Sequence, residues 1–277
     1  MKQPQRIAVY GKGGIGKSVV ATSLSAVFAQ GGGRVLHVGC DPKRDSAMRL
    51  IDRPAGSGSI RTVLEALGQN VRDVPPEQVL HRARLGITCC ESGGPKPGVG
   101  CGGRGVARTL EYLDEKKIIQ AGGYDYVLFD VLGDVVCGGF AAPLRQRFAE
   151  KVVVVVSEEP MALYAANNIA RAIEVYHENG VVLAGLVANL RSPDADLGRL
   201  EQFAARLSTR VLATIPRDPL IGEAEVLHRT IVEHAPQSAA AGALRALAAA
   251  VVAVEPSTVG LPTPMDDEAF FGLLRLA

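Results

Sequence analysis

The 277-residue chain reads as an α/β protein, with a doubly wound, mostly parallel sheet flanked by helices. Three observations predict this. Short runs rich in Val, Ile and Leu recur along the chain, stretches of helical spacing separate them, and a glycine-rich turn joins the first run directly to the first helical stretch. Runs that are apolar throughout, without strict alternation, mark strands covered on both faces, as when helices flank a parallel sheet.

In chain order the predicted strands are RIAVY (6–10), RVLHVG (34–39), LGITCC (85–90), YDYVLFD (124–130), KVVVVVS (151–157), VVLAGLVAN (181–189) and RVLATIP (210–216). SVVATSLSAVFAQ, RGVARTLEYLDEK and ALYAANNIARAIEVYHENG have helical spacing, and the first stops at Gly31 to Gly33, as glycine ends helices. The stretch AAAGALRALAAAVVAV (239–254) carries Arg245 and is short for a membrane span, so a buried or amphipathic helix is expected. No repeat or long linker divides the chain, so one domain over 1–277 is expected. Its tail, from about 255, ends in a short amphipathic segment expected to pack on a dimer, and DRPAGSGS (52–59) is the expected flexible piece.

Hydrophobic residues make up 47% and charged residues 21%, as in a soluble globular protein, and a formal net charge of +1 exerts no bulk pull on nucleic acid. No apolar run follows a basic start, so no secretory signal is expected. Cysteines number five, an odd count that argues against a disulfide framework and for reduced thiols in a cytoplasm. Neither nucleic acid nor membrane is expected as a partner.

After the first strand comes GKGGIGKS, residues 11–18, which satisfies G-x-x-x-x-G-K-[ST] and runs into a helical pattern. In that context the backbone N–H groups of Gly11, Gly13, Gly14, Ile15 and Gly16 and the helix N-terminus cradle phosphates. Lys17 reaches the β/γ oxygens, and Ser18 holds Mg²⁺. The additional Lys12 resembles the signature lysine of a class of dimeric P-loop ATPases with a deviant Walker A motif, in which it reaches the partner's nucleotide. A cation placed there neutralises charge on the transferring phosphoryl group. Asp130 ends an apolar strand, where a Walker B carboxylate binds the Mg²⁺ shell, and Asp134 follows in VLGD. The second strand ends in GCDPKRDS, placing Asp41, Lys43 and Asp45 at the same carboxyl edge, where open α/β sheets bind ligands.

Cys101, in PKPGVGCGGRG, and Cys137, in DVVCGGF, both sit in glycine-rich loops with no C-x-x-C pair or His-rich neighbour to complete a zinc site. On spacing alone two readings stay open. They are buried thiols, or each is half of a ligand set that a twofold dimer completes to four, enough for a [4Fe–4S] cluster approached by backbone amides. Cys40, Cys89 and Cys90 lie at strand ends and are expected to pack in the interior, with Cys89 and Cys90 on opposite faces.

The strings YGKGGIGKS, VGCDPKRDS, CESGGPKPGVGCGGRGV, FDVLGDVVCGGFA, LYAANNIARAI and IPRD together resemble the iron protein of nitrogenase, the nitrogenase reductase family, and its nitrogenase-like relatives. The resemblance implies a homodimer with one [4Fe–4S] cluster at the subunit interface and one MgATP per subunit. A ferredoxin or flavodoxin would supply electrons, and a larger nitrogenase-type catalytic protein would accept them. By this likeness Cys101 and Cys137 ligate the cluster and residues 11–18 bind the triphosphate. Lys12 acts across the dimer, Asp45 and Asp134 belong to two switch segments, and Asp134 orients the attacking water. Asn189, Pro216, Arg217, Asp218 and Glu225 line the nucleoside side. Arg104 lies on the docking face, at a position ADP-ribosylated in some relatives.

There are departures. Val19 and Val20 stand where threonines are usual, and Gly222 and Ala240 where glutamines contact the nucleoside. Gln146 and Phe148, in RQRFAEK, replace the polar and charged pattern familiar near the docking surface, and SEEPMALY differs from the usual cysteine-containing run; both point to an acceptor other than conventional dinitrogenase, such as a nitrogenase-like system acting on methylthio-alkanes or tetrapyrroles. A partitioning ATPase of the deviant Walker A type is the alternative from another class; it needs no paired cysteines in glycine loops.

Overall fold

The computed structural model describes residues 3–52, 60–68, 74–95, 102–133 and 138–275. Its strands are β1 (Gln5–Tyr10), β2 (Val35–Cys40), β3 (His81–Arg82), β4 (Thr88–Glu91), β5 (Tyr126–Val131), β6 (Lys151–Val156), β7 (Val182–Asn189) and β8 (Val211–Ile215). The helices are α1 (Lys17–Gln30), α2 (Val63–Leu67), α3 (Gly102–Glu115), α4 (Ile118–Ala121), α5 (Ala142–Arg145), α6 (Pro160–Val175), α7 (Leu197–Arg206), α8 (Pro219–Val226), α9 (Ile231–His234), α10 (Ala239–Val252) and α11 (Asp267–Arg275).

The strands form one sheet in the order β3-β4-β2-β5-β1-β6-β7-β8, and every pair is parallel except β3 with β4. Each predicted strand is present. The antiparallel edge pair His81–Arg82 was not expected, because two residues carry no periodicity. Residues 85–87 are also not strand: Leu85 takes φ 56 in a 3₁₀ turn before β4 begins.

Alternation along the strands feeds two cores. Ile7, Val9, Cys89, Leu128 and Val153 face α1, α9 and α10. Ala8, Tyr10, Cys90, Phe129 and Val154 face α3, α6, α7 and α11. Cys89 and Cys90 thus lie on opposite faces as expected, and with Cys40 they are buried, unoxidised thiols whose pKa values burial pushes up.

The stretch read as a buried or amphipathic helix is α10, with Leu244, Leu247 and Val251 fully buried. Among the described residues no helix is long and apolar enough to cross a membrane. The described part of the C-terminal tail packs on its own chain. Asn167 of α6 clamps it from both sides, Nδ2 donating to the Met265 carbonyl at 2.7 Å and Oδ1 accepting from Met265 N at 2.8 Å. Phe270 then buries its ring edge-on to Tyr164 and Phe203, a burial contributing about 2–3 kcal/mol.

The chain winds outward from β1 through β2 to β4, returns to place β5 beside β1, and then runs out the other way through β6, β7 and β8. The carboxyl ends of β1 and β5 therefore meet where the winding reverses, the place at which open parallel sheets leave a crevice for ligands.

Candidate functional site

Residues 11–16 leave β1 and enter α1 as a compact loop. Ile15 buries its side chain, Ile15 N donates to the Lys12 carbonyl at 3.2 Å, and Lys17 Nζ donates to the same carbonyl at 3.2 Å. Gly16, at φ 100, has to be glycine for a second reason: a Cβ there would lie 2.4 Å from Asn189 Nδ2. That amide donates to the Ile15 carbonyl at 2.7 Å, and Arg191 donates to the Gly14 carbonyl. The end of β7 thus holds the loop from the side. Glu158 steadies that end by accepting from Arg191 N and Ser192 N.

Beside the loop, Gly14, Gly16, Val19, Asn189, Arg191, Pro216, Arg217, Asp218, Gly222 and Glu225 line one cleft of about 480 Å³. Asp218 Oδ1 caps α8 by accepting from Leu220 N at 3.0 Å. Glu225 is paired with Arg49, from the turn after Asp45. Ala240 does not reach this cleft; it is fully buried in the core.

The acids gather at the other side of the loop. Asp130, the next-to-last residue of β5, is 3% exposed and accepts from Ser46 Oγ at 2.5 Å. Asp41 turns the chain out of β2, its Oδ1 accepting from Lys43 N at 2.8 Å, and burial raises its pKa. Arg44, at φ 60, completes a tight corner before Asp45 and pairs with Glu65.

Sequence reasoning missed two groups here. Glu91, at the end of β4, is fully buried, its Oε1 accepting from Ala47 N at 2.6 Å and its Oε2 without a hydrogen-bond partner among the described residues. Burial pushes its carboxyl up to about 8, against the pull of the Ala47 N–H and with added repulsion from Asp130, Asp45 and Asp41. His37 is fully buried in β2, and burial lowers its ring to about 4 although Asp130 acts to raise it. The signal for both was a titratable residue inside or closing an apolar run covered on two faces, where only a bonded polar group is tolerated.

These shifts predict a stability profile. The native state holds the Glu91 proton more tightly than the unfolded chain, where the carboxyl titrates near 4.5. The stability so gained is complete below about 4.5 and is lost as pH rises through about 8. His37 acts oppositely between about 4 and 6.5, because there the unfolded chain takes up the proton more readily. Above 6.5 only the Glu91 slope of this pair remains. Glu91→Gln is therefore expected to abolish a decline of up to about 1.4 kcal/mol per pH unit between pH 6.5 and 8. Denaturant melts across that window check it; parallel profiles for the two proteins would contradict it.

Cys101, Asp134 and Cys137 lie outside the described residues, but their neighbours do not. A Cβ on Gly133, the residue before Asp134, would lie 1.8 Å from the Gly11 carbonyl oxygen. A Cβ on Gly139 would lie 2.1 Å from the backbone of Gly103. So the backbone flanking one cysteine loop rests on the phosphate-type loop at one end and on the backbone flanking the other cysteine at its other end. Gly102 begins α3, and Arg104 in its first turn is exposed. The two flanks meet this closely only because neither carries a side chain.

A glycine loop ending in Lys17 and Ser18, set between the central strand and its helix with a carboxylate on the adjacent strand end, defines a P-loop NTPase of the deviant Walker A type. Solved structures share that fold. They include the MinD cell division protein of Aquifex aeolicus (20% identity, TM-score 0.66, covering 91% of this chain and 98% of that one) and the septum site-determining protein MinD of Pyrococcus horikoshii complexed with Mg-ADP (20%, 0.69, 89% and 95%). A third is the cobyrinic acid a,c-diamide synthase of Mycobacterium smegmatis with bound ADP and magnesium (24%, 0.65, 90% and 94%). The family model for 4Fe-4S iron sulfur cluster binding proteins, NifH/frxC family, matches residues 5–276. The chain belongs to that family.

Proposed function

We propose that this protein is the ATP-dependent electron donor, the iron protein, of a nitrogenase or nitrogenase-like complex. In this reading a homodimer couples MgATP hydrolysis to one-electron transfer from a shared [4Fe–4S] cluster to a larger catalytic partner. The observation that carries the reading is a pair of backbone contacts on either side of Asp134 and Cys137, Gly133 against Gly11 and Gly139 against Gly103. In this reading a change that nucleotide imposes on the phosphate loop is felt first at Gly133 and passes along the chain toward Cys137.

In this reading Lys17 and the backbone N–H groups of the loop hold the triphosphate, Ser18 and Asp130 receive the magnesium, and Lys12 reaches the nucleotide of the partner subunit. Asp134 orients the attacking water, while Asp41, Lys43 and Asp45 form the second nucleotide-responsive edge. Asn189, Pro216, Arg217, Asp218 and Glu225 receive the nucleoside, Glu225 first having to leave Arg49. Cys101 and Cys137 of both subunits hold the cluster, which supplies one-electron redox chemistry when bound. Arg104 borders the surface on which the acceptor docks. The departures near Gln146 and Phe148 favour an acceptor from a nitrogenase-like system.

The MinD-like fold supports a second reading, an ATPase that organises a surface as a nucleotide-dependent dimer. Anaerobic purification with iron quantification and EPR of the dithionite-reduced protein separates the two. About four irons per dimer and a reduced-cluster signal are expected. Metal-free protein that hydrolyses ATP on DNA or lipid would replace the first reading with the second.

A further inference from the structure

A buried hydrogen-bonded chain joins α1 to the end of β5 through a residue outside every nucleotide motif. His37 Nδ1 lies 2.9 Å from the Ser25 hydroxyl on α1, and its Nε2 lies 2.8 Å from the Ser46 hydroxyl, in the residue after Asp45. Ser46 donates to Asp130 Oδ2 at 2.5 Å, and Ser25, His37 and Ser46 are all fully buried. The protons can be counted. The single Ser46 hydroxyl proton is donated to Asp130 Oδ2. The Ser46 oxygen is then an acceptor, and the ring nitrogen facing it carries hydrogen. A neutral ring in this setting is the Nε2–H tautomer, its bare Nδ1 accepting from Ser25, whose other acceptor within reach is the Ala21 carbonyl at 3.1 Å.

We propose that His37 is a positioning residue for the magnesium of MgATP: its Nε2–H holds the Ser46 hydroxyl on Asp130, and so fixes both the carboxylate and the segment after Asp45. The inference rests on the MgATP reading above. An apolar side chain would fill this place in an otherwise apolar strand at no desolvation cost, so the imidazole is explained by its bonds and not by packing. Glu91 anchors the next residue of the same segment through Ala47 N, so two buried groups from neighbouring strands tie this turn to the sheet. Residues that orient a metal ligand from behind typically change metal affinity about 10–100-fold when removed.

Three substitutions in the full-length protein separate positioning from packing. His37→Gln returns an N–H donor near the Nε2 position, His37→Asn places one near Nδ1 only, and His37→Leu supplies none. The Mg²⁺ concentration for half-maximal ATP hydrolysis is expected to rise about tenfold in the Leu and Asn variants, with a much smaller change in kcat at saturating Mg²⁺, and to return toward wild type in the Gln variant. In nucleotide-free wild-type protein, ¹⁵N NMR of labelled histidine is expected to show His37 as the Nε2–H tautomer. An Nδ1–H tautomer, or an active, folded His37→Leu with unchanged Mg²⁺ dependence, would overturn the inference alone. Wild-type protein with no ATPase activity would overturn the parent reading, whatever the tautomer.

Discussion

Lys17→Ala is expected to lower kcat/KM for ATP by about 10²–10³-fold, the cost of removing one preorganised charge from a phosphoryl-transfer site. Lys17 is 8% exposed and holds the loop together through the Lys12 carbonyl, so its ammonium is fixed before any ligand arrives. Preorganisation is what makes such a charge effective, because no reorganisation is needed as charge develops. A steady-state ATPase assay checks this. A variant within a few-fold of wild type would place hydrolysis elsewhere. Thermal melts should show at most a small loss of stability, since the loop loses the Lys17–Lys12 bond but keeps its Ile15–Lys12 and Asn189–Ile15 bonds.

Cys101→Ala and Cys137→Ala are each expected to remove essentially all iron from anaerobically purified dimer. In the proposed homodimer each substitution deletes two of the four ligands of the shared cluster at once, and the described cysteines offer no replacement. Cys40, Cys89 and Cys90 cannot serve instead: all are fully buried in the interior, and burial raises their thiols far from the thiolate state a metal needs. Iron assay after reconstitution is the measurement. Either variant retaining about four irons per dimer would remove the cysteine assignment.

Most of this architecture was legible in the chain because apolar runs covered on both faces leave a strong one-dimensional trace. The Gly-rich loop was legible because Lys17 and Ser18 follow it at fixed offsets. The Asn189 amide was suspected from the resemblance, but its work on the Ile15 carbonyl depends on β7 lying two strands from β1, which is a fact of topology. His37, Ser46 and Glu91 escaped notice because their importance lies in who meets whom across β2, β4 and β5. Ser46 and Asp130 stand 84 residues apart in sequence. The two-residue β3 left no pattern to read. Neither could sequence show that Gly139 presses on Gly103, since a glycine's reason for being there is the backbone opposite it.

In the proposed mechanism, nucleotide at the phosphate loop alters a cluster held by two copies of this chain, through the segment between Gly133 and Gly139. The most direct measurement is the rate at which bathophenanthroline removes iron from the reduced dimer, with MgATP, with MgADP and without nucleotide. Slow removal without nucleotide is expected, with a marked acceleration by MgATP that Lys17→Ala abolishes. Iron released at one rate in all three conditions, from protein that binds MgATP, would contradict it.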